Sequence, residues 1–278
     1  MKSPAYVTNF FGNGNNTVFD KSRGGINYYR VQYDGGTMSV VAGKQLQSWL
    51  YGGVGPVFQY FNAREENNKG KYIADFPING LDATTVFKNK TYLGMEGRLS
   101  INSKNNAALP TRGAMINVYV RQLFGLNAYS KSGLHTGLDI RIFMSFVPQT
   151  KFVLATRFGA GVNIGKYDFQ QAQYLSGKEN LRGYRRERFA GRTMLFNNSE
   201  IRYKLADFNT YVFQGSIGLL AFHDIGRVWV ANEKSSSWHN GYGGGMWLAP
   251  IRRFVIVSSF AFSKEASFLP SLTFGFQF

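Results

Sequence analysis

The sequence predicts an all-β protein, a transmembrane antiparallel β-barrel, and three observations lead to this fold class. Apolar and polar side chains alternate along many segments, which is the pattern of strands with one apolar and one polar face. No run of apolar side chains exceeds four residues, whereas a transmembrane helix needs about 20. Long and short connections alternate along the chain, and membrane barrels carry long loops on one rim and short turns on the other.

Individual strands are predicted from this alternation. Within 132–146, for example, Leu138 and Ile140 alternate with Asp139 and Arg141. The pattern gives about twelve or thirteen strands. In chain order, the predicted strands are 4–11, 25–33, 36–46, 48–62, 87–102, 112–124, 132–146, 151–165, 193–205, 210–230, 237–249, 253–263 and 268–278.

The connections decide between a soluble sandwich and a membrane barrel, because the strands of both alternate. Counted back from the C-terminal end, one set of connections is short, at about 103–111, 147–150, 206–209 and 250–252. The other set includes both long loops, at about 63–86 and 166–192. A soluble sandwich has no reason to sort its loops in this way, so the connections favour the membrane barrel.

Composition excludes several classes of site. Cysteine is absent, so neither a disulfide framework nor a thiolate metal site can form. The three histidines, His135, His223 and His239, are never at a metal-ligand spacing. We therefore predict neither a metal nor a cofactor. The net charge of +16 is compatible with a nucleic-acid binder, but the basic residues are spread along the chain, so we predict no nucleic-acid partner.

An arginine-rich run ends the long loop 166–192. It reads Leu-Arg-Gly-Tyr-Arg-Arg-Glu-Arg over 181–188, and single carboxylates follow on the next two strands at Glu200 and Asp224. In the alternation of their strands, both residues fall on the polar side, which faces inward in a barrel. A guanidinium has five donors in a planar fork and suits two carboxylates, so an arginine of this loop can fold back onto both. In the alternative interpretation, these arginines lie on a solvated loop.

These residues resemble the BamA/TamA-type superfamily of outer-membrane assembly factors, also called bacterial surface antigens. Leu181-Arg182-Gly183-Tyr184 is similar to the family's Arg-Gly-aromatic motif on the sixth extracellular loop, and five strands follow it, as in the family. Phe222-x-Asp224-x-Gly226 is similar to the family's aspartate strand, with Glu200 at the acidic position of the strand before it. Pro110-Thr111-Arg112-Gly113 is similar to a turn that leads into a mid-barrel strand.

The resemblance also bears on how much of a barrel this chain contains. It implies sixteen strands, more than the sequence shows. Tyr6 to Asp20 resembles an inter-strand segment of members whose barrel follows an enzyme module. The start, Met1-Lys2-Ser3-Pro4, lacks the apolar core of a signal peptide. We interpret 1–278 as an outer-membrane barrel domain from a mature or N-terminally trimmed protein.

Roles for single residues follow from the same resemblance. Arg182 is implied to pin the loop inside the barrel through both carboxylates, while Gly183 permits a sharp turn and Tyr184 packs beside it. The residues of this luminal contact are Arg182, Gly183, Tyr184, Glu200, Asp224 and Gly226. The other arginines of the loop are expected to be solvated or to face lipopolysaccharide; they are Arg185, Arg186, Arg188 and Arg192.

The last segment, 268–278, is predicted to place Phe274, Phe276 and Phe278 together on one outward face. By resemblance, it is the recognition strand that is used when the barrel is itself inserted. In the alternative interpretation, it is an ordinary lipid-facing strand whose aromatic residues lie at the membrane interface.

The resemblance implies that the protein helps outer-membrane proteins to insert into, or cross, the outer membrane of a Gram-negative bacterium. Its implied partners are unfolded outer-membrane proteins, outer-membrane lipids, lipopolysaccharide and accessory assembly lipoproteins. The first and last strands would pair weakly, so that an incoming strand adds by backbone pairing.

Two alternative functions stay open, a barrel anchor for an upstream enzyme module (phosphoesterase or patatin-like) and a passive pore. We expect no enzyme activity in this chain. His135 lies near Ser132 and Asp139, but all three are on one predicted strand and no nucleophile elbow accompanies them.

Overall fold

The computed structural model describes residues 6–76, 81–146, 151–177, 179–209, 214–251 and 253–278, and fifteen strands lie within these ranges. In chain order, they are β1 (Tyr6–Asn9), β2 (Arg30–Ser39), β3 (Ala42–Gln47), β4 (Leu50–Asn62), β5 (Lys90–Asn102), β6 (Gly113–Gly125), β7 (Gly133–Ser145), β8 (Phe152–Gly165), β9 (Gln173–Leu175), β10 (Phe189–Gly191), β11 (Thr193–Asn209), β12 (Gln214–Trp229), β13 (His239–Pro250), β14 (Ile256–Ser263) and β15 (Leu269–Phe274).

The helical segments that lie wholly within the described ranges are all short. They are α1 (Ile26–Tyr29), α2 (Glu65–Asn68) and two 3-10 helices, Tyr72–Ala74 and Phe169–Gln171. Across the described ranges, none of the helices has both the length and the apolar character to cross a membrane.

One antiparallel sheet contains thirteen of the strands, in the order β1-β2-β4-β5-β6-β7-β8-β11-β12-β13-β14-β15, with β3 paired to β4. β2 and β3 follow one another along β4, and the break between them lies at Val40 and Val41. The pairing continues across this break, because the Val40 N–H donates to the Pro56 carbonyl at 3.1 Å. A meander of antiparallel neighbours is the barrel architecture that the alternation predicted.

The two faces of the sheet differ in the way that a membrane barrel requires. On β12, Leu219 is 42% exposed while Asp224 is fully buried. On β11, Ile201 is 44% exposed while Glu200 and Arg202 are buried. Because the apolar side chains point outward and the charged ones inward, the wall is inverted relative to a soluble protein, as predicted.

The largest apolar cluster is built mainly by connections rather than by the wall. Phe10 and Phe11 follow β1, Ile73 lies between β4 and β5, and Phe169 lies between β8 and β11. Phe11 stacks on Tyr29 with ring centroids 4.8 Å apart. Three connections that are distant in sequence therefore share one core, which fixes how the loop 166–192 is seated.

The predicted strand 25–33 is wrong in its first half. Residues Ile26–Tyr29 form the one-turn helix α1, and the strand begins only at Arg30. The cause is packing, because Tyr29 is 2% exposed and joins the apolar cluster instead of alternating along a wall. The predicted turn 147–150 lies outside the described residues.

Within the described residues, the last strand, β15, pairs only with β14 and has one free edge. The Gly275 N–H donates to the Val255 carbonyl at 2.6 Å, so the odd-numbered residues of β15 bond to β14. Pro270 lies opposite Phe260 and belongs to the even-numbered residues, whose backbone groups face the free edge. Proline is tolerated there because its missing N–H removes no bond to β14.

Candidate functional site

The loop between β8 and β11 contains a hairpin whose tip reaches the inner wall. β9 and β10 pair with each other, a pairing that the sequence analysis missed. The tip is tightened because the N–H groups of Asn180 and Leu181 both donate to the Ser176 carbonyl at 3.0 Å. Leu181 is fully buried in a cluster that includes Phe196 of β11 and Val228 of β12. This apolar contact positions the next residue, Arg182, against the two strands.

Arg182 lies between the two carboxylates on β11 and β12. Its Nε and Nη2 donate to Oδ2 and Oδ1 of Asp224, both at 2.8 Å, which is the bidentate fork geometry. Its Nη1 donates to Glu200 Oε2 at 2.8 Å. Its backbone N–H also donates to Asp224 Oδ2 at 2.9 Å. We call Arg182, Glu200 and Asp224 the Arg182 cluster.

Burial makes the electrostatics of the Arg182 cluster strong. The side chains of Arg182, Glu200 and Asp224 are 10%, 1% and 0% exposed. Burial alone would lower the pKa of Arg182, but the hydrogen bonds and charges of Asp224 and Glu200 raise it above its usual range. The guanidinium also lies 3.5 Å from the ring centroid of Phe222, a cation–π contact. Arg182 is therefore a permanent buried cation.

Two glycines allow the loop backbone to approach the wall. Gly183 has a φ of +89°, in the left-handed region that favours glycine. Its carbonyl accepts a hydrogen bond from Ser263 Oγ at 2.6 Å. Gly241 on β13 lies directly against the loop, since a Cβ there would be 1.8 Å from the Arg182 carbonyl oxygen. Gly241 belongs to a glycine-rich stretch of β13, and nothing in the alternation of the sequence marks its role.

Tyr184 and Gly226 lie beside the cluster. Tyr184 is 4% exposed and meets Phe189 edge-on, with ring centroids 5.5 Å apart. Burial raises the pKa of Tyr184 above its ordinary value. At Gly226, a Cβ would lie 2.9 Å from Leu175 of the loop hairpin. Both residues thus contact the same seated loop as Arg182.

The expectation that Arg188 is solvated is wrong. Arg188 is 1% exposed, and its Nε donates to the Glu265 carboxylate at 2.8 Å. Its Nη1 donates to Thr17 Oγ1 at 2.7 Å. It therefore joins the arginine loop to the β14–β15 connection and to the segment after β1. By contrast, Arg185 and Arg186 are exposed.

Arg192 contacts the end of β8, where its Nη1 donates to the Gly165 carbonyl at 2.9 Å. It is neither fully buried nor fully exposed.

The predicted common outward face of Phe274, Phe276 and Phe278 is also wrong. Phe274 is 81% exposed, but β15 ends there and Gly275, with a φ of +91°, turns the chain inward. Phe278 is 7% exposed, and its carbonyl oxygen accepts a hydrogen bond from Arg202 Nη2 at 2.9 Å. The left-handed turn at a glycine cannot be read from alternation, because a glycine also fits the polar parity of a strand.

Two more carboxylates on the inner wall are each bound by two arginines. Glu96 on β5 bonds Arg98 two residues along and Arg121 on β6. Asp139 on β7 bonds Arg141 at 2.7 Å and Arg157 on β8 at 2.8 Å. We call Glu96, Arg98 and Arg121 the Glu96 cluster. The sequence signal was an acid-x-Arg pattern that recurs in Glu96-Gly97-Arg98, Asp139-Ile140-Arg141 and Glu200-Ile201-Arg202.

The three histidines and Ser132 all have structural partners. His135 Nδ1 lies 2.9 Å from Asn163 Oδ1, and Ser132 Oγ accepts the Gly125 N–H at 3.2 Å. His223 is exposed near Asn240, and His239 stacks on Phe189 with ring centroids 3.6 Å apart. In the part of the chain that the structure describes, no three or more His, Cys, Asp or Glu residues could hold a metal ion.

Comparison with known proteins gives one family and one fold. A family model described as the Omp85 superfamily domain matches residues 4–278. Among solved structures, the chain is similar to the crystal structure of BamA from Haemophilus ducreyi lacking POTRA domains 1–3, with a TM-score of 0.67 and 14% sequence identity. The match covers 88% of this chain and 55% of that chain, so this chain spans about half of its length. No curated protein matches the chain.

Proposed function

The chain belongs to the Omp85 superfamily of outer-membrane protein assembly and translocation, and on this premise we propose that its barrel assists the insertion of other outer-membrane proteins. The site of action is the outer membrane of a Gram-negative bacterium. The chain performs no bond chemistry in this proposal. Its work is to hold a barrel wall in which one strand edge is available for pairing.

The observation that carries the proposal is the seated loop. Arg182 is bound by two buried carboxylates, and the loop around it is held by apolar contacts and by the bonds of Arg188. A loop fixed in this way obstructs the lumen, so we expect an incoming protein to enter the membrane beside the barrel rather than through it. An ordinary diffusion pore has no need for an arginine bound to the wall in this way.

The free edge of β15 supplies the proposed contact for a substrate strand. Its backbone groups at Leu272 and Phe274 face away from β14, and all six residues of β15 are exposed. An unfolded outer-membrane protein can add a strand here by main-chain hydrogen bonds, which give affinity without demanding one sequence. The exposed apolar wall would meet outer-membrane lipids, while lipopolysaccharide and accessory assembly lipoproteins remain proposed partners.

Reconstitution tests the proposal. The full-length protein is placed in lipid vesicles, an unfolded outer-membrane protein is added, and its folding is followed as the heat-modifiable band on gels. We expect faster folding than in empty vesicles, and a slower rate with Arg182→Ala than with the matched control Arg185→Ala. A steady ion conductance without accelerated folding would indicate a passive pore. If the protein neither accelerates folding nor conducts ions, it is a membrane anchor. This result, or conductance without accelerated folding, would contradict the proposal.

A further inference from the structure

The end of the last strand is held inside the barrel by one arginine of β11. The Arg202 guanidinium lies 3.7 Å from the ring centroid of Phe276, and its Nη2 donates to the Phe278 carbonyl at 2.9 Å. Phe278 also packs on Phe143 of β7, with ring centroids 6.5 Å apart. Gly275 still bonds to the residue before β14, but Phe276 and Phe278 reach across the lumen to contact β11 and β7.

The same arginine shares a carboxylate with the arginine of the loop. Glu200 accepts Arg182 Nη1 on Oε2 at 2.8 Å and Arg202 Nε on Oε1 at 2.7 Å. All three side chains are at least nine-tenths buried. Because both arginines share one buried carboxylate, the loss of one arginine changes the charge and the hydrogen bonds that are available to the other.

The donors that Arg202 uses show how this coupling works. Nε and Nη2 are the two donors that bind a carboxylate bidentately, yet here they are divided between Glu200 and Phe278. Arg182 binds the second oxygen of Glu200, and its positive charge opposes a closer approach of the Arg202 guanidinium to that oxygen. Within the described residues, Arg202 Nη1 is buried without a hydrogen-bond partner, so the guanidinium is not fully satisfied in this arrangement.

We propose that Arg202 is a positioning residue that couples the seated loop to the end of the last strand through Glu200. With Arg182 in place, Arg202 keeps one donor for Phe278 and the strand end stays in the lumen. When Arg182 leaves, Glu200 Oε2 becomes free and both donors of Arg202 turn to Glu200. The Phe278 carbonyl is then released, and the strand end leaves the wall. This coupling goes beyond the proposed function, because it concerns the barrel in the absence of any substrate.

The absence of cysteine allows a direct test in the full-length protein, provided that any upstream part also lacks reactive thiols. Phe143→Cys and Phe278→Cys are introduced together, and cross-linking by a short bis-maleimide, which can span side chains whose rings lie 6.5 Å apart, is followed in lipid vesicles as a gel shift. The pair should cross-link readily in the parent and with Arg185→Ala. With Arg182→Ala, cross-linking should be about tenfold slower, since a hydrogen bond to a charged group is worth a factor of that order. Arg202→Met should have a similar effect.

A second variant and a second measurement protect the test against simple misfolding. Asp224→Asn weakens the seat of Arg182 without touching Glu200 or Arg202, and it should slow cross-linking in the same direction. A single Phe278→Cys should react faster with a membrane-impermeant maleimide when Arg182→Ala is added, which is a gain of signal. The coupling is overturned if Arg182→Ala cross-links and labels like Arg185→Ala. It is also overturned if the parent pair does not cross-link. Neither outcome depends on insertase activity.

Discussion

The Arg182 cluster and the Glu96 cluster use the same groups in different settings. In each, a fully or almost fully buried carboxylate binds an arginine two residues along its own strand. The second arginine differs in origin. Arg121, which binds Glu96, lies on the neighbouring strand directly opposite it in register, whereas Arg182 comes from a loop.

This difference decides what each cluster can stabilise. β5 and β6 are already joined by a full ladder of backbone pairs, so the Glu96 cluster adds little to their alignment. Arg98 is also 49% exposed, and exposed ion pairs contribute only about 0–1 kcal/mol. The Arg182 cluster instead joins a loop residue to β11 and β12, strands with which Arg182 shares no backbone ladder, and its three side chains are at most 10% exposed. We therefore expect substitutions in the Arg182 cluster to lower the stability of the barrel more than equivalent substitutions in the Glu96 cluster.

The largest expected effect is that of Arg182→Ala. It leaves Asp224 without its fork and Glu200 with one arginine, at a cost of about 3–5 kcal/mol if both stay desolvated. Glu200→Ala and Asp224→Ala should produce similar defects. The temperature at which the folded band disappears from gels, and unfolding by urea in lipid vesicles, measure the loss. Arg185→Ala and Arg186→Ala are the matched controls, and equal behaviour of Arg182→Ala and Arg185→Ala would contradict the comparison.

Gly241→Ala should have the next largest effect on the free energy of unfolding. Its methyl group would lie 1.8 Å from the Arg182 carbonyl, so the loop or the strand must shift, at a cost of about 1–3 kcal/mol. Gly97→Ala is the control beside the Glu96 cluster, because a Cβ there meets nothing within 4 Å. Both are measured by urea unfolding in vesicles. If Gly241→Ala left the free energy of unfolding unchanged, the close contact between the loop and β13 would not be needed for stability.

A double-mutant cycle sharpens the comparison further. Arg182→Ala and Asp224→Ala should combine less than additively, with a coupling of about 0.5–3 kcal/mol, because they remove two sides of one contact. Arg182→Ala and Arg98→Ala share no partner and should be additive within about 0.5 kcal/mol. The free energies of unfolding of the parent, the three single variants and the two double variants give both numbers. Simple additivity in the first pair would mean that the cluster does not act as a unit.

The smallest effect should belong to Arg98→Ala. Glu96 keeps Arg121, and half of the Arg98 side chain is already in contact with solvent. We expect a loss of about 0–1 kcal/mol in the free energy of unfolding. If Arg98→Ala cost as much stability as Arg182→Ala, the proposed difference between the Glu96 cluster and the Arg182 cluster would be wrong.

The sequence predicted the wall well, since the parity of a side chain follows from counting by two along a strand. Glu200 and Asp224 could be placed on the inner face for this reason, and Arg182 came from the family resemblance. The bond between Arg188 and Glu265 could not be predicted, because two loops separated by 77 residues meet only through the tertiary fold. The inward turn at Gly275 was missed for a local reason, because alternation carries no information about φ.

Pro270 affects how readily the edge of β15 can pair with other chains before the barrel is complete. A flat edge with every donor in place is a template on which other copies can stack and aggregate. On β15, the donor that should face outward at Pro270 does not exist, so a continuous ladder along this edge is broken near its start. Gly275 turns the chain away at the other end, which leaves only a short stretch that can pair. We therefore expect this edge to be a poorer template for aggregation than a flat edge with every donor in place.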